Sequence, residues 1–235
     1  MTYPAGDRPR PLSQEPLPPL PSRAGPTPAC AGIIGVCVAI FLLETAGLLP
    51  GAGARHVADL QLGALYGPLV RSGQWWRVLG DAFEHGGLVH LGFNMSVVWT
   101  LGQALERNVG TGRFLVICLI TALGSSLVQL LLAFNVVSVG ASGMILGWGG
   151  TMLPIATPQG RQSLRVWLIQ IAVISLLPGI SWQGHVGGLI TGGLVAAVYV
   201  HAPRARRNLV QASASIGLLV LFVVLIAART TALVG

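Results

Sequence analysis

Seven apolar stretches succeed one another between residues 29 and 228, and the charged residues fall almost entirely in the breaks between them. A helix needs ~20 apolar residues to cover the hydrocarbon core of a bilayer. Inside lipid no water satisfies backbone N–H and C=O groups, so a segment crosses either as a helix bonded within itself or as part of a closed barrel. The runs here are continuous rather than alternating, which selects helices. Composition points the same way. Hydrophobic residues make up 53% of the chain and charged ones 9%, with a mean hydropathy of +0.73, whereas a soluble domain is about one quarter charged. The expected fold is all-α, a polytopic membrane helical bundle.

The segments are expected at about 29–49, 88–105, 114–134, 139–156, 164–177, 184–200 and 210–228, with a long connection over 50–87. Residues 1–28 hold nine of the fifteen prolines and few large apolar side chains. They cannot bury enough surface to fold and read as a disordered tail. The next apolar run is long and lacks a small-residue cleavage site, unlike a cleavable signal peptide. All fourteen basic residues are arginine. With the N-terminus inside, ten of them (Arg8, Arg10, Arg23, Arg107, Arg113, Arg161, Arg165, Arg204, Arg206 and Arg207) fall on one side, against Arg55, Arg71, Arg77 and Arg229 on the other. That bias expects a cytoplasmic N-terminus and a C-terminus outside. It also accounts for the net charge of +7 without nucleic acid. Cys30, Cys37 and Cys118 lie in apolar segments and form neither a disulfide framework nor a metal motif.

In this topology segments two, four and six all enter from the outer face, so their starts share one depth. Those starts carry the most polar side chains of the membrane part: His85, His90 and Asn94; Ser142; Gln183 and His185. Ionisable residues within a membrane are expensive and are functional candidates. Ser142 sits in Val139–Gly147, where three glycines flank it, and taken alone the stretch reads as helix packing. His185 opens a second glycine stripe, with Gly184, Gly188 and Gly192 at spacing four. Two such faces can pack backbone to backbone and bring Ser142 and His185 together. A serine hydroxyl needs a base for its proton, and neutral imidazole suits that task. No acidic third member is evident, since Glu106 is expected at the opposite end; the reading is a Ser–His dyad. His90 and Asn94, four residues apart, share one helix face and can both donate hydrogen bonds. Alone they read equally as an interhelical polar pair; beside Ser142 and His185 they read as oxyanion donors, together with the Ser142 N–H at its helix start. Glu84–His85 and His90 do not match the zinc spacing of a His-Glu-x-x-His motif, and no apolar segment contains Asp. His56 and His201 lie at segment margins and read as interfacial.

These residues resemble the rhomboid family of intramembrane serine proteases. The resemblance runs through most of residues 29–200: Trp76-Arg77 in the first loop, the stretch Phe83–Met95, Gly-Ala-Ser-Gly at 140–143, and Gly-His-x-x-Gly-x-x-x-Gly from Gly184. It implies a six-helix catalytic core over 29–203, with the serine in a water-filled cavity open to the outer face, and an extra seventh transmembrane helix with a short tail over 204–235. By the same resemblance Ser142 is the nucleophile and His185 the general base. His90 and Asn94 stabilise the oxyanion, Gly140 and Gly143 shape the serine turn, and Trp76 and Arg77 anchor the first loop in the outer leaflet. One position departs from the pattern. Many active members carry Tyr or Phe four residues after the nucleophile, and here that residue is Leu146, which offers no aromatic face.

The expected function is therefore a serine endopeptidase that cleaves transmembrane protein substrates near the outer ends of their helices, at small or helix-destabilising residues. No metal or cofactor is implied, and the bilayer is the only other partner expected. The competing reading is a weak or inactive rhomboid-like protein that binds membrane clients; it predicts a missing serine or histidine, and both are present. A small transporter would call for two repeated halves with broken helices, and none is found. Arginine without lysine in an Ala/Gly/Leu-rich chain suggests a bacterial inner membrane protein.

Overall fold

Helix boundaries in this protein are set by caps and glycine turns more than by hydropathy. The computed structural model describes residues 25–49 and 62–231. Most of the proline-rich tail, Arg55 and His56 therefore lie outside the described residues. Helix α1 (Pro28–Thr45) begins on a proline, whose missing N–H costs nothing at a helix start. Two short helices, α2 (Gly67–Arg71) and α3 (Arg77–Gly80), and a 3-10 turn (Asp81–Phe83) build the first loop. Helix α4 (Leu88–Val97) continues through a π-turn (Val98–Gly102) into α5 (Gln103–Val109). Then come α6 (Thr111–Leu132), α7 (Ser142–Met152), α8 (Pro158–Ile174), α9 (Trp182–His201) and α10 (Arg207–Thr231), the last preceded by a 3-10 turn at Arg204–Arg206.

The described residues are all-helical apart from turns and one isolated antiparallel bridge, Leu65 to Ser138. Four helical stretches are long and apolar enough to cross a bilayer: Pro28–Thr45, Thr111–Leu132, Trp182–His201 and Arg204–Thr231. Boundaries differ from hydropathy where local chemistry intervenes. Helix α8 starts at Pro158, because Thr157 caps it by accepting from Gly160 N at 3.1 Å. Helix α7 starts only at Ser142, because Gly140 takes φ +119° and turns the chain first. Its eleven residues span roughly 16 Å at 1.5 Å per residue, about half the hydrocarbon core. It is not a surface helix: Gly143 to Met152 are all buried.

Helix α6 and α7 form the centre, with Phe114, Ile117, Ile120, Ile145 and Trp148 fully buried. Both ends of the bundle are tied by polar contacts. At one end the Glu106 carboxylate accepts from Ala29 N at 3.1 Å, Cys30 N at 2.9 Å and the Thr111 hydroxyl at 2.8 Å. It thus caps the N-terminus of α1 from another helix, where free N–H groups and the helix dipole favour an anion. Near that end Arg113 donates to Asn208 Oδ1 at 2.8 Å and Gln211 Oε1 at 3.2 Å, fixing α10. At the other end Arg229 of α10 donates to Leu130 O at 3.1 Å. Arg229 and Arg71 each lie 4.7 Å from the centre of the Phe134 ring, a cation–π geometry.

Candidate active site

The approach to Ser142 is held on three sides. Leu65 and Ser138 exchange both backbone hydrogen bonds, at 2.9 and 3.0 Å, which ties the strand-like run before the serine to the first loop. Gly140 N donates to Asp81 O at 2.8 Å. A Cβ at Gly140 would sit 2.6 Å from His90 Cε1, and its φ of +119° is one that side chains rarely adopt, so only glycine fits this turn. Ser142 then opens α7, where the first N–H groups have no partner within the helix.

His185 reaches this point because α9 lies against α7 at backbone contact. A Cβ on Gly188 would be 1.8 Å from Gly143 O, and one on Gly192 would be 1.9 Å from Gly147 O. Gly143 in turn leaves room for Ser125, whose Oγ would be 2.0 Å from a Cβ there, and Gly184 for the Oγ atoms of Ser125 and Ser181. With the helices this close, His185 Nε2 lies 2.7 Å from Ser142 Oγ. Both residues are half-buried.

His90 and Asn94 share the inner face of α4. The His90 ring covers Gly140, and a Cβ at that glycine would be 3.8 Å from Ser142 Oγ, so the imidazole stands beside the serine. Asn94 is buried and uses one amide N–H on His90 O at 3.0 Å, which leaves its second N–H for another acceptor. His85 packs edge-on against His90 with ring centres 5.1 Å apart. It lies in the loop before α4, where burial, then the nearby His90, push its pKa down to about 4. Burial also holds the Asp81 carboxyl well above the usual carboxylate range, despite backbone hydrogen bonds and the Ser126 hydroxyl.

Trp76 and Arg77 have unequal situations. Trp76 is exposed, with its ring N–H donated to Leu62 O at 3.1 Å. Arg77 is buried and clasps the loop from inside, donating to Gln74 Oε1 and to Ala64 O, both at 2.8 Å. The Ala64 carbonyl is one residue from the Leu65–Ser138 bridge, so Arg77 acts on the same segment that delivers the serine. Leu146 is buried one turn beyond Ser142.

Sequence reasoning missed a polar layer around the histidine. Ser175 is buried at the end of α8; its Oγ lies 2.6 Å from His185 Nδ1 and donates to Ile171 O at 2.6 Å. Ser181 caps α9 by accepting from Gly184 N at 3.2 Å, and donates to Gln129 of α6. The Ser181 cap was readable, as a serine three residues before the Gly184 amide at a helix start. Ser175 was readable only in part: the Pro178-Gly179 turn reverses the chain, which can return a residue ten positions back to His185. An apolar groove of about 960 Å³ lies apart from the Ser142–His185 pair, between the α4–α5 helix and α8, with Phe93, Leu101, Met152, Leu164 and Trp167 among its walls.

A bundle of apolar helices, four of them able to span a bilayer, with a serine and a histidine in contact where two of its helices touch, defines a class: an integral membrane protein carrying hydrolase-type side chains in its interior. The family follows from comparison with known proteins. A family model described as the Rhomboid domain matches residues 72–203. The chain is 35% identical over 173 residues to the rhomboid protease GluP of Bacillus subtilis, covering 70% of this chain and 33% of that one. It is 32% identical over 176 residues to the rhomboid protease GlpG of Klebsiella pneumoniae (71% and 61%) and 33% identical over 155 residues to the mitochondrial RHOMBOID-like protein 6 of Arabidopsis thaliana (62% and 50%). The protein belongs to the rhomboid family. It spans from one third to about three fifths of the length of these relatives.

Proposed function

We propose that this protein is an intramembrane serine endopeptidase that hydrolyses peptide bonds near the outer ends of substrate transmembrane helices. The observation that carries the reading is the 2.7 Å contact between Ser142 Oγ and His185 Nε2. Attack begins when Ser142 Oγ adds to the scissile carbonyl carbon while its proton passes to His185 Nε2. The oxyanion that forms is met by donors from His90, Asn94 and the Ser142 N–H. His185 returns its proton to the leaving amine, the C–N bond breaks and an acyl-enzyme remains. A water then donates its proton to His185 and attacks the ester carbon, releasing the new carboxyl end and restoring Ser142. Membership of a family in which the Bacillus subtilis and Klebsiella pneumoniae relatives are named proteases supports the chemistry.

In this reading residues 29–203 form a six-helix catalytic core in which α7 and the α4–α5 helix count as crossings. Helix α10 is a seventh crossing, the N-terminus is cytoplasmic, and the membrane is a bacterial inner membrane. The half-length of α7 supports a nucleophile sunk below the membrane surface, since a helix of roughly 16 Å cannot reach both interfaces. A substrate must present an unwound peptide bond there, which favours small and helix-destabilising residues. The test is cleavage of several transmembrane test substrates in liposomes by wild type, Ser142→Ala and His185→Ala. Cleavage by wild type alone supports the proposal. Cleavage undiminished in either variant, or none by wild type across the substrates, overturns it.

A further inference from the structure

We propose that Ser175 is a positioning residue: its hydroxyl fixes the tautomer of His185 so that Nε2 is left bare to accept the Ser142 proton. The inference rests on the protease reading for its kinetic consequence but not for its structural one. One chain of contacts fixes where each proton sits. Ser175 Oγ lies 2.6 Å from Ile171 O. A carbonyl carries no proton, and two bare oxygens at that separation repel, so the hydrogen between them is the one on Ser175. That hydroxyl has a single proton. It is therefore committed to Ile171 O, and toward His185 Nδ1, also 2.6 Å away, Ser175 Oγ can only accept. Nδ1 must then hold a hydrogen. A neutral imidazole carries one N–H, which leaves Nε2 unprotonated. Nε2 accordingly accepts from Ser142 at 2.7 Å, the arrangement that general-base catalysis requires.

The reverse tautomer would point an Nε2–H at Ser142 Oγ and leave it without a base. Among hydrolases a carboxylate often enforces the useful tautomer; here a neutral hydroxyl, anchored by a backbone carbonyl, does so. Ser175 is buried, so water does not readily replace it as the acceptor at Nδ1. When His185 takes the Ser142 proton, the Nδ1–H stays on Ser175 Oγ, and no further proton moves.

Two readouts separate this inference from the protease proposal. The first needs no activity: ¹⁵N NMR of histidine-labelled protein, with the His185 signals assigned by their loss in His185→Ala. At a pH where the ring is neutral, wild type should show Nδ1 protonated and Nε2 bare. Ser175→Ala should shift the population toward Nε2–H, and Ser175→Thr, which keeps the hydroxyl, should restore the wild-type pattern. The second is kinetic. Ser175→Ala should lower kcat about 10- to 100-fold, a partial loss of the ~10²- to 10⁴-fold that general-base catalysis supplies in full, with KM nearly unchanged and with recovery in Ser175→Thr. A bare Nδ1 in wild type, or an unchanged tautomer in Ser175→Ala, overturns the inference whatever the activity. An altered tautomer with undiminished kcat overturns its catalytic part. Loss of the NMR pattern in both Ala and Thr variants would show that shape, not the hydroxyl, holds the ring, and would overturn it as well.

Discussion

Adding one methyl group at Gly188 should separate the serine from the histidine. The Cβ of Gly188→Ala would lie 1.8 Å from Gly143 O, and that neighbour is backbone rather than the end of a flexible side chain. Ordinary van der Waals contact for a Cβ begins at 3.4 Å, so α9 must retreat from α7 by roughly 1.6 Å. His185 is three residues away on the same face, and a comparable retreat stretches its 2.7 Å contact with Ser142 to about 4 Å, beyond hydrogen bonding. A misplacement of about 1 Å can cost 10²-fold in rate, so kcat should fall at least about 100-fold. Overpacking of this kind costs about 1–3 kcal/mol of stability. Gly193, five residues further along α9, provides the control: a Cβ there meets nothing within 4 Å. Gly193→Ala should leave kcat unchanged and stabilise the helix slightly. Initial cleavage rates in liposomes, beside thermal unfolding of the same preparations, would read both effects. A Gly188→Ala protein that folds and cleaves at the wild-type rate would refute the claim that backbone contact between α7 and α9 sets the site.

Two further predictions concern stability. Glu106→Ala should cost about 2–6 kcal/mol, because it strips the acceptor from two buried N–H groups at the start of α1, at about 1–3 kcal/mol for each orphaned donor. Glu106→Gln, which keeps one acceptor oxygen, should cost less; equal losses in unfolding experiments on the two variants would count against a capping role. His85 should make the protein acid-sensitive. Its pKa is about 4 in the fold against 6.5 for the free side chain, so both states are neutral above pH 6.5 and the contribution is fully present there. As pH falls from 6.5 toward 4 the unfolded chain takes up a proton that the folded chain refuses, and stability drops by about 2–3 kcal/mol. The melting temperature of His85→Gln should fall less steeply than that of wild type over this window. Parallel slopes would contradict the assignment.

What the sequence made legible was periodic and compositional. Continuous apolar runs implied membrane helices, and glycines at spacing four implied backbone contact between the segments bearing Ser142 and His185. Helix ends were less legible, since Thr157 and Gly140 move the starts of α8 and α7 away from the hydropathy boundaries. The polar layer around His185 was harder still. Ser175 is ten residues from the histidine and looks like any serine in an apolar helix until the turn at Pro178-Gly179 is drawn. The resemblance implies that Arg77 anchors the first loop in the outer leaflet; that its guanidinium is buried on Ala64 O depends on long-range packing, which no local pattern encodes. The role of Glu106 as a cap for α1 was hidden for the same reason: its partners are more than seventy residues away.

The central claim is that Ser142 is a nucleophile activated by His185. Its most direct test is covalent labelling of the membrane-embedded protein with a fluorophosphonate, followed by mass spectrometry of the adduct. The phosphorus atom forms a bond to the attacking oxygen and expels fluoride, so the label marks an activated hydroxyl rather than an accessible one. A single adduct on Ser142 is expected, absent from Ser142→Ala and strongly reduced in His185→Ala. No adduct on Ser142 in folded wild-type protein, or labelling of Ser142 that is indifferent to His185, would contradict it.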